Sequence, residues 1–279
     1  FGFAALMSAV VLAACGGGGT DTSGNNSGGN GNNKEELTFP IATKNNDDAI
    51  EDGELEAAVA TDSQFKGLFQ WEFYQDSYDA AFMAPSHEPL FANDDDFRIT
   101  DDGAATLDLD EDTKKATIKV KDNVKWSDGE DVTADDVIFP YEIIGNKDYT
   151  GIRYDDTFRN IVGMEEYHDG SADTISGIKK IDDKTVEIEY KEVNPSMLQS
   201  GGGIWSYAAP KHTLEGVAIK DMESSDQVRK NPVTFGPYYM SNIVAGESVE
   251  YLPNEHYWNG TPKLKKITMK SVPMASATE

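Results

Sequence analysis

Apolar and polar residues alternate along KATIKVK at 115–121, with Ala116, Ile118 and Val120 on one side, which is the two-residue period of a strand with one buried face. The alternation resumes at Val124 and Trp126 after an Asp122-Asn123 turn, and Asp128-Gly129 supplies a second turn. The period then changes. Thr133-Ala134-Asp135-Asp136 has the form of a helix start: Thr133 as N-cap, carboxylates in the first turn where the helix dipole favours them, and Val137, Ile138 and Tyr141 along an apolar face. KTVEIEY at 184–190 repeats the strand period through Val186 and Ile188. ELEAAVAT at 54–61 opens the body as a further strand, and Val249–Tyr251 and Ile267–Met269 offer short ones. FKGLFQWEFY at 65–74 is an aromatic-rich segment whose rings either fill a core or face a ligand. There is no repeat of solenoid length, and the interleaving of strands and helices predicts a mixed α+β or α/β fold.

Ahead of this body, residues 1–14 carry no charge and close on Leu12-Ala13-Ala14, followed by Cys15, the chain's only cysteine. The run is too short to cross a bilayer as a mature helix and has the length and small-residue finish of a signal peptide. A small-residue run ending at cysteine is where a bacterial lipoprotein is cut and acylated, so Cys15 is the expected lipid attachment site. With no basic segment or initiator Met before it, the chain as given reads as starting inside the signal peptide, residues 1–15. Gly16 to Asn33 is Gly/Asn/Ser/Thr-rich and has no apolar residue with which to build a core, so residues 16–36 are expected to be a flexible tether. Such a tether reaches roughly 25 Å, enough to hold a folded body just off a membrane.

Composition narrows the function classes. With 38% hydrophobic residues, 12 Tyr, 12 Phe and 4 Trp in 279 residues, the chain can build one large domain or two small ones. A formal net charge of −26 sets a repulsive field against phosphates and argues against nucleic acid as a partner. With Cys15 used as an anchor, no thiol remains for a disulfide, a metal site or a nucleophile. His87, His168, His212 and His256 lie too far apart for helical metal-ligand spacing. Asp108, Asp110 and Asp112 resemble the start of a calcium loop, but Thr113 stands at its sixth position and Lys119 at its twelfth. Ser200-Gly201-Gly202-Gly203 lacks the lysine of a phosphate loop and reads as a flexible turn or a close backbone approach. No GxSxG elbow is present, and Asp94-Asp95-Asp96 reads as a solvated loop. No catalytic or cofactor motif is found along the chain, although distant carboxylates can still converge in the fold.

Two long blocks carry a resemblance. VKWSDGEDVTADDVIFPYE at 124–142 and NPVTFGPYYMSNIVAGESVEYLPNEHYWNGTPKLKKI at 231–267 resemble the extracellular solute-binding proteins, family 5, of peptide ABC importers. KDYTGIRY at 147–154, EEYHDG at 165–170 and SGGGIWSYAAPKH at 200–212 agree with the streptococcal type of that family. The resemblance covers about residues 37–273 and implies a periplasmic-binding-protein-like class II architecture. The base lobe would be 37–61 plus 193–273, with 62–192 as an inserted subdomain. Since family members look about twice as long, the chain reads as a first lobe with the second lobe absent, and 274–279 as a truncated end. The resemblance further implies a binding protein that is not an enzyme and uses no cofactor, with an oligopeptide ligand, ABC permease subunits as partners and a lipid anchor on the outer face of a Gram-positive cell membrane. It places Gln64, Phe65, Lys66 and Gly67 just after the first base-lobe strand, where family members offer backbone to the peptide. Gly203, Trp205 and Tyr207 form a second candidate set, a glycine-led stretch that admits ligand beside rings with apolar walls and polar tips. Trp126, Trp258 and Tyr238 are expected to pack structurally. A structural or adhesive surface lipoprotein is the alternative, recognised by binding to host or wall polymers; a secreted hydrolase would show turnover of a test substrate.

Overall fold

The computed structural model describes residues 52–276; Cys15, the expected tether and the start of the expected base lobe lie outside them. The alternating segment of 115–121 is the middle of an antiparallel sheet. After the short antiparallel pair β2 (Ala92–Asn93) and β3 (Ile99–Thr100), strand β4 (Ala105–Asp110) turns back into β5 (Lys115–Val120), where Asp110 Oδ1 accepts the N–H groups of Asp112 and Thr113 at 3.0 and 3.1 Å. The acidic run at 108–112 thus ends a strand and shapes a hairpin turn. Strand β7 (Thr185–Glu189) pairs with β5, and β6 (Ile178–Lys180) completes the order β4-β5-β7-β6. Ala116, Ile118, Val120, Val186 and Ile188 are fully buried, as their alternation predicts.

Helix α2 (Ala134–Gly145) follows the two turns and starts where its cap predicts. Asp136, at the third helical position, reaches back so that its Oδ2 accepts the Thr133 N–H at 2.8 Å and the Thr133 hydroxyl at 3.0 Å. The same buried carboxylate accepts the Trp126 indole N–H at 3.3 Å and the Lys211 N–H at 2.9 Å. Pro140 lies inside α2, where it has no N–H to give the Asp136 carbonyl. That carbonyl accepts the Ala209 N–H at 3.0 Å instead, so an interior proline is tolerated because a distant loop replaces the missing donor.

A second sheet draws β1 (Glu54–Thr61) from one end of the described chain and β8 (Tyr238–Val244), β9 (Ser248–Pro253) and β10 (Lys266–Pro273) from the other. The order is β1-β10-β9-β8; β1 runs parallel to β10 along its whole length and the other pairs are antiparallel. Helix α1 (Ser77–Met83) begins at Asp76, whose carboxylate accepts the Tyr78 and Asp79 N–H groups, and buries Phe82 and Met83 in a cluster with Phe65, Phe69, Tyr251 and Ile267. Six of the ten residues 65–74 bury their side chains: Phe65, Leu68, Phe69, Gln70, Glu72 and Phe73. Trp126 is also buried, at 1% exposure, and Tyr238 at 9%. Trp258 is partly buried and donates its indole N–H to Glu88 at 3.0 Å.

Candidate functional site

The segment after β1 is shaped by Asp79. Its buried carboxylate accepts the N–H groups of Gly67 at 2.9 Å and Leu68 at 3.3 Å, and Gly67 turns the chain with φ +72, a conformation glycine adopts without the Cβ penalty. Burial is the main cause that raises the Asp79 pKa, and the two N–H groups oppose it. Phe65 points into the core, 4.3 Å from Phe82 between ring centroids. Lys66 is exposed, with its ammonium on Gln75 at 3.3 Å and its carbonyl accepting Arg229 Nη1 at 2.9 Å. Gln64 is exposed beside Gly246 in the β8–β9 turn. Of this set, then, the Phe65 ring and the Gly67 N–H are committed to the fold. The backbone groups of Ser63, Gln64 and Phe65 have no hydrogen-bond partner among the described residues.

Gly203, Trp205 and Tyr207 lie on a loop held by the Leu90 N–H on the Ser206 carbonyl at 2.7 Å. The Tyr207 ring stacks on Trp71 at 4.1 Å and 19°, and Trp205 stands edge-on to Tyr207 at 5.5 Å and 70°. Trp71 in turn meets Tyr74 edge-on at 5.1 Å. The fold therefore joins the 65–74 segment to the 203–207 loop in one shelf of four half-buried rings, Trp71, Tyr74, Trp205 and Tyr207. Edge-to-face and stacked contacts of this kind give a rigid apolar surface; the Trp71 and Trp205 indole N–H groups are turned inward and buried. Gly203 is set apart from the shelf, on the wall of an open cavity of ≈ 570 Å³ that Met197, Asn194 and Asn160 also line.

Under the shelf lies a polar group that the sequence reading did not assign. Glu72 is fully buried, and desolvation raises its pKa to about 7 against the opposing effects of Gln70, Trp205 and Arg153. Gln70 donates to Glu72 Oε2 at 2.7 Å, and the Tyr149 hydroxyl donates to the Glu72 carbonyl. Glu72 Oε1, Trp205 Nε1, Trp71 Nε1 and Arg153 Nε are buried without a hydrogen-bond partner among the described residues. Trp205 is close enough to favour the ionised carboxylate but does not meet hydrogen-bond geometry. The signal available in the sequence was the alternation of acid and rings in Gln70-Trp71-Glu72-Phe73-Tyr74; nothing local assigns Arg153 to it.

Three of the four histidines are bonded or stacked into the fold, and His256 is exposed. His87 lies between the Ser86 hydroxyl and the Phe69 carbonyl, and burial lowers its pKa to about 4. His168 stacks on Tyr154 at 3.7 Å, and His212 meets Asp128 at 2.8 Å. Among the described residues no group of three or more His, Cys, Asp or Glu is placed to hold a metal, and no helix is long and apolar enough to cross a membrane. The geometry offers binding surfaces built from rings and free backbone.

Comparison with known proteins agrees with the fold just described. The oligopeptide-binding protein OppA of Lactococcus lactis subsp. lactis is 38% identical over 245 residues, which cover 86% of this chain and 41% of that protein. The structure of lactococcal OppA complexed with an endogenous peptide in the closed conformation superposes with a TM-score of 0.77 at 39% identity, covering 80% of this chain and 42% of that one. AppA of Bacillus subtilis in complex with a nonapeptide gives a TM-score of 0.66 over 82% of this chain and 42% of that one; at 24% identity it speaks for the fold alone. The chain thus spans about two-fifths of the length of these relatives. The family model of bacterial extracellular solute-binding proteins, family 5 Middle, matches residues 98–279. On that match and the mixed α/β, class II architecture shared with lactococcal OppA, the chain belongs to the bacterial extracellular solute-binding proteins, family 5, a family of solute binders and not of enzymes.

Proposed function

We propose that this chain is part of an extracellular receptor that binds oligopeptides and delivers them to the permease of an ABC importer, held to the membrane by a lipid on Cys15. The likeness to lactococcal OppA, whose structure contains a peptide, carries the reading. Backbone N–H and C=O groups occur in every peptide, so a receptor that pairs them gains affinity without reading sequence. The backbone of Ser63–Phe65, directly after β1 and without partners among the described residues, is suited to that pairing. The shelf of Trp71, Tyr74, Trp205 and Tyr207 is suited to hold ligand side chains against apolar ring faces. In this reading 37–61 and 193–273 form the base lobe and 62–192 the inserted subdomain.

Mass spectrometry of ligand released from the full-length protein tests the binding role: a mixture of short peptides is expected, and calorimetry with those peptides should then give saturable binding. Recovery of no peptide, together with no heat on titration, would sink the proposal. Fatty-acid labelling in cells tests the anchor. One acyl chain holds a protein only marginally while two hold it stably, so the diacylglyceryl group expected at Cys15 suffices. Equal label in wild type and Cys15→Ala would exclude that cysteine as the attachment site.

A further inference from the structure

The sequence holds four arginines in a chain of net charge −26. Arg98 pairs with Asp96 at 3.6 Å and Arg159 with Asp156 at 2.6 Å. Arg229 donates to the carbonyls of Glu223 and Lys66 at 2.7 and 2.9 Å. Arg229, like Arg153, has no ion pair among the described residues; Arg153 differs from it in stacking on a ring and in an Nε buried without a partner. It is half-buried, its guanidinium lies 4.2 Å over the Tyr74 ring, and its Nη2 donates to the Tyr74 carbonyl at 3.1 Å. It makes no ion pair with any described residue, and its Nε is buried without a partner. The fork is thus fixed in orientation on the aromatic shelf while its charge is left without a carboxylate.

Glu72 is the acid placed to supply one, and it does not. No Arg153–Glu72 ion pair forms among the described residues; the guanidinium lowers the Glu72 pKa only in part, and burial still raises it to about 7. We infer that Arg153 is a specificity-determining residue of the ligand site, and that it receives a ligand carboxylate on the edge of the Trp71, Tyr74, Tyr207 shelf. The inference rests on the peptide-binding reading above. A guanidinium fork matches a carboxylate in shape and charge, and stacking on Tyr74 restricts the fork before the ligand arrives. The strongly acidic surface repels free anions at long range, so the contact selects a carboxylate already carried by a bound peptide. Two sources present the same chemistry, the peptide C-terminus and an Asp or Glu side chain.

The test is calorimetric titration of the full-length protein, wild type and Arg153→Gln, with three versions of one peptide taken from its natural ligands: free C-terminus, C-terminal amide, and amide with one internal Glu. Charge-assisted contacts of this type predict that wild type loses about tenfold without the carboxylate it receives and that Arg153→Gln loses little. If amidation alone weakens wild-type binding and Arg153→Gln does not show that loss, the carboxylate is the C-terminus; if amidation is neutral and the internal Glu strengthens binding about tenfold in wild type only, it is a side chain. Equal binding of all three versions by wild type, or the same tenfold preference kept by Arg153→Gln, overturns the inference while leaving peptide binding intact. Failure of wild type to bind any version overturns the peptide reading and this assignment with it. Arg153→Lys keeps the charge without the fork, so it guards against a glutamine variant that misfolds: a reduced but persistent preference is expected, and an undiminished one counts against the fork.

Discussion

Replacing Asp136 tests the account of how the turn-and-helix unit is held. The carboxylate is 4% exposed and accepts four donors: the Thr133 N–H, the Thr133 hydroxyl, the Trp126 indole and the Lys211 N–H. Asp136→Ala strands all four. A buried donor left unpaired costs about 1–3 kcal/mol. The bonds from Thr133 and Lys211 are only part-buried, so water recovers some of their loss, while the Trp126 indole is enclosed but its bond is long. A total on the order of 4 kcal/mol follows, a large share of the 5–15 kcal/mol typical of a domain. Asp136→Asn keeps one acceptor oxygen and turns an NH₂ toward the donors on the other side, for about half that loss. Thr133→Ala removes a single hydroxyl and leaves the Asp136 carboxylate on the Thr133 N–H, so it should cost about 1 kcal/mol. Urea unfolding, read as midpoint and slope for each variant, gives the comparison. An Asp136→Ala midpoint no lower than that of Thr133→Ala would refute the view that this carboxylate joins helix, turn and the 209–211 loop.

The pH dependence of stability should carry two opposed contributions. Glu72 has a folded pKa of about 7, above its unfolded value of 4.5, so the folded state holds the extra proton and the stability it brings is lost as pH rises from 4.5 through 7. His87 has a folded pKa of about 4, below its unfolded 6.5, so its contribution runs the other way and stability rises with pH between 4 and 6.5. Glu72→Gln should therefore remove the decline on approach to neutrality, and thermal midpoints that still fall between pH 5 and 7 in that variant would count against it. Trp126→Ala, at a site 1% exposed, should cost about 3–5 kcal/mol in chemical denaturation; an unchanged midpoint with lost peptide binding would move that ring from core to site. The glycine run divides sharply: a Cβ on Gly202 would come within 1.7 Å of the Ser196 carbonyl oxygen, whereas Gly201 has φ +77 and open space around it. Gly202→Ala should thus disrupt the loop, and Gly201→Ala should cost only about 1 kcal/mol of backbone strain; equal midpoints for the two would contradict the close approach.

Local order was legible in the chain because it is written in short periods. The two-residue alternation of 115–121 fixes which side chains of β5 face inward, and the Thr133 to Asp136 pattern locates the start of α2, since both depend only on near neighbours in sequence. The parallel pairing of β1 with β10 and the repair of Pro140 by the Ala209 N–H were not written there. A parallel strand needs a long crossover, and a proline inside a helix is tolerated only if a donor arrives from elsewhere. The candidate site divides the same way. Its ring-rich segments were visible separately, and residue types such as Trp205 and Tyr207 stood out for their apolar walls and polar tips. Only tertiary structure laid Tyr207 on Trp71, sank Phe65 into the core, buried Glu72 under the rings and set Arg153 on Tyr74 with no ion pair among the described residues. Contacts between residues far apart in sequence are decided by how whole elements pack, because the burial that drives them is non-directional and belongs to the assembled core rather than to any one segment.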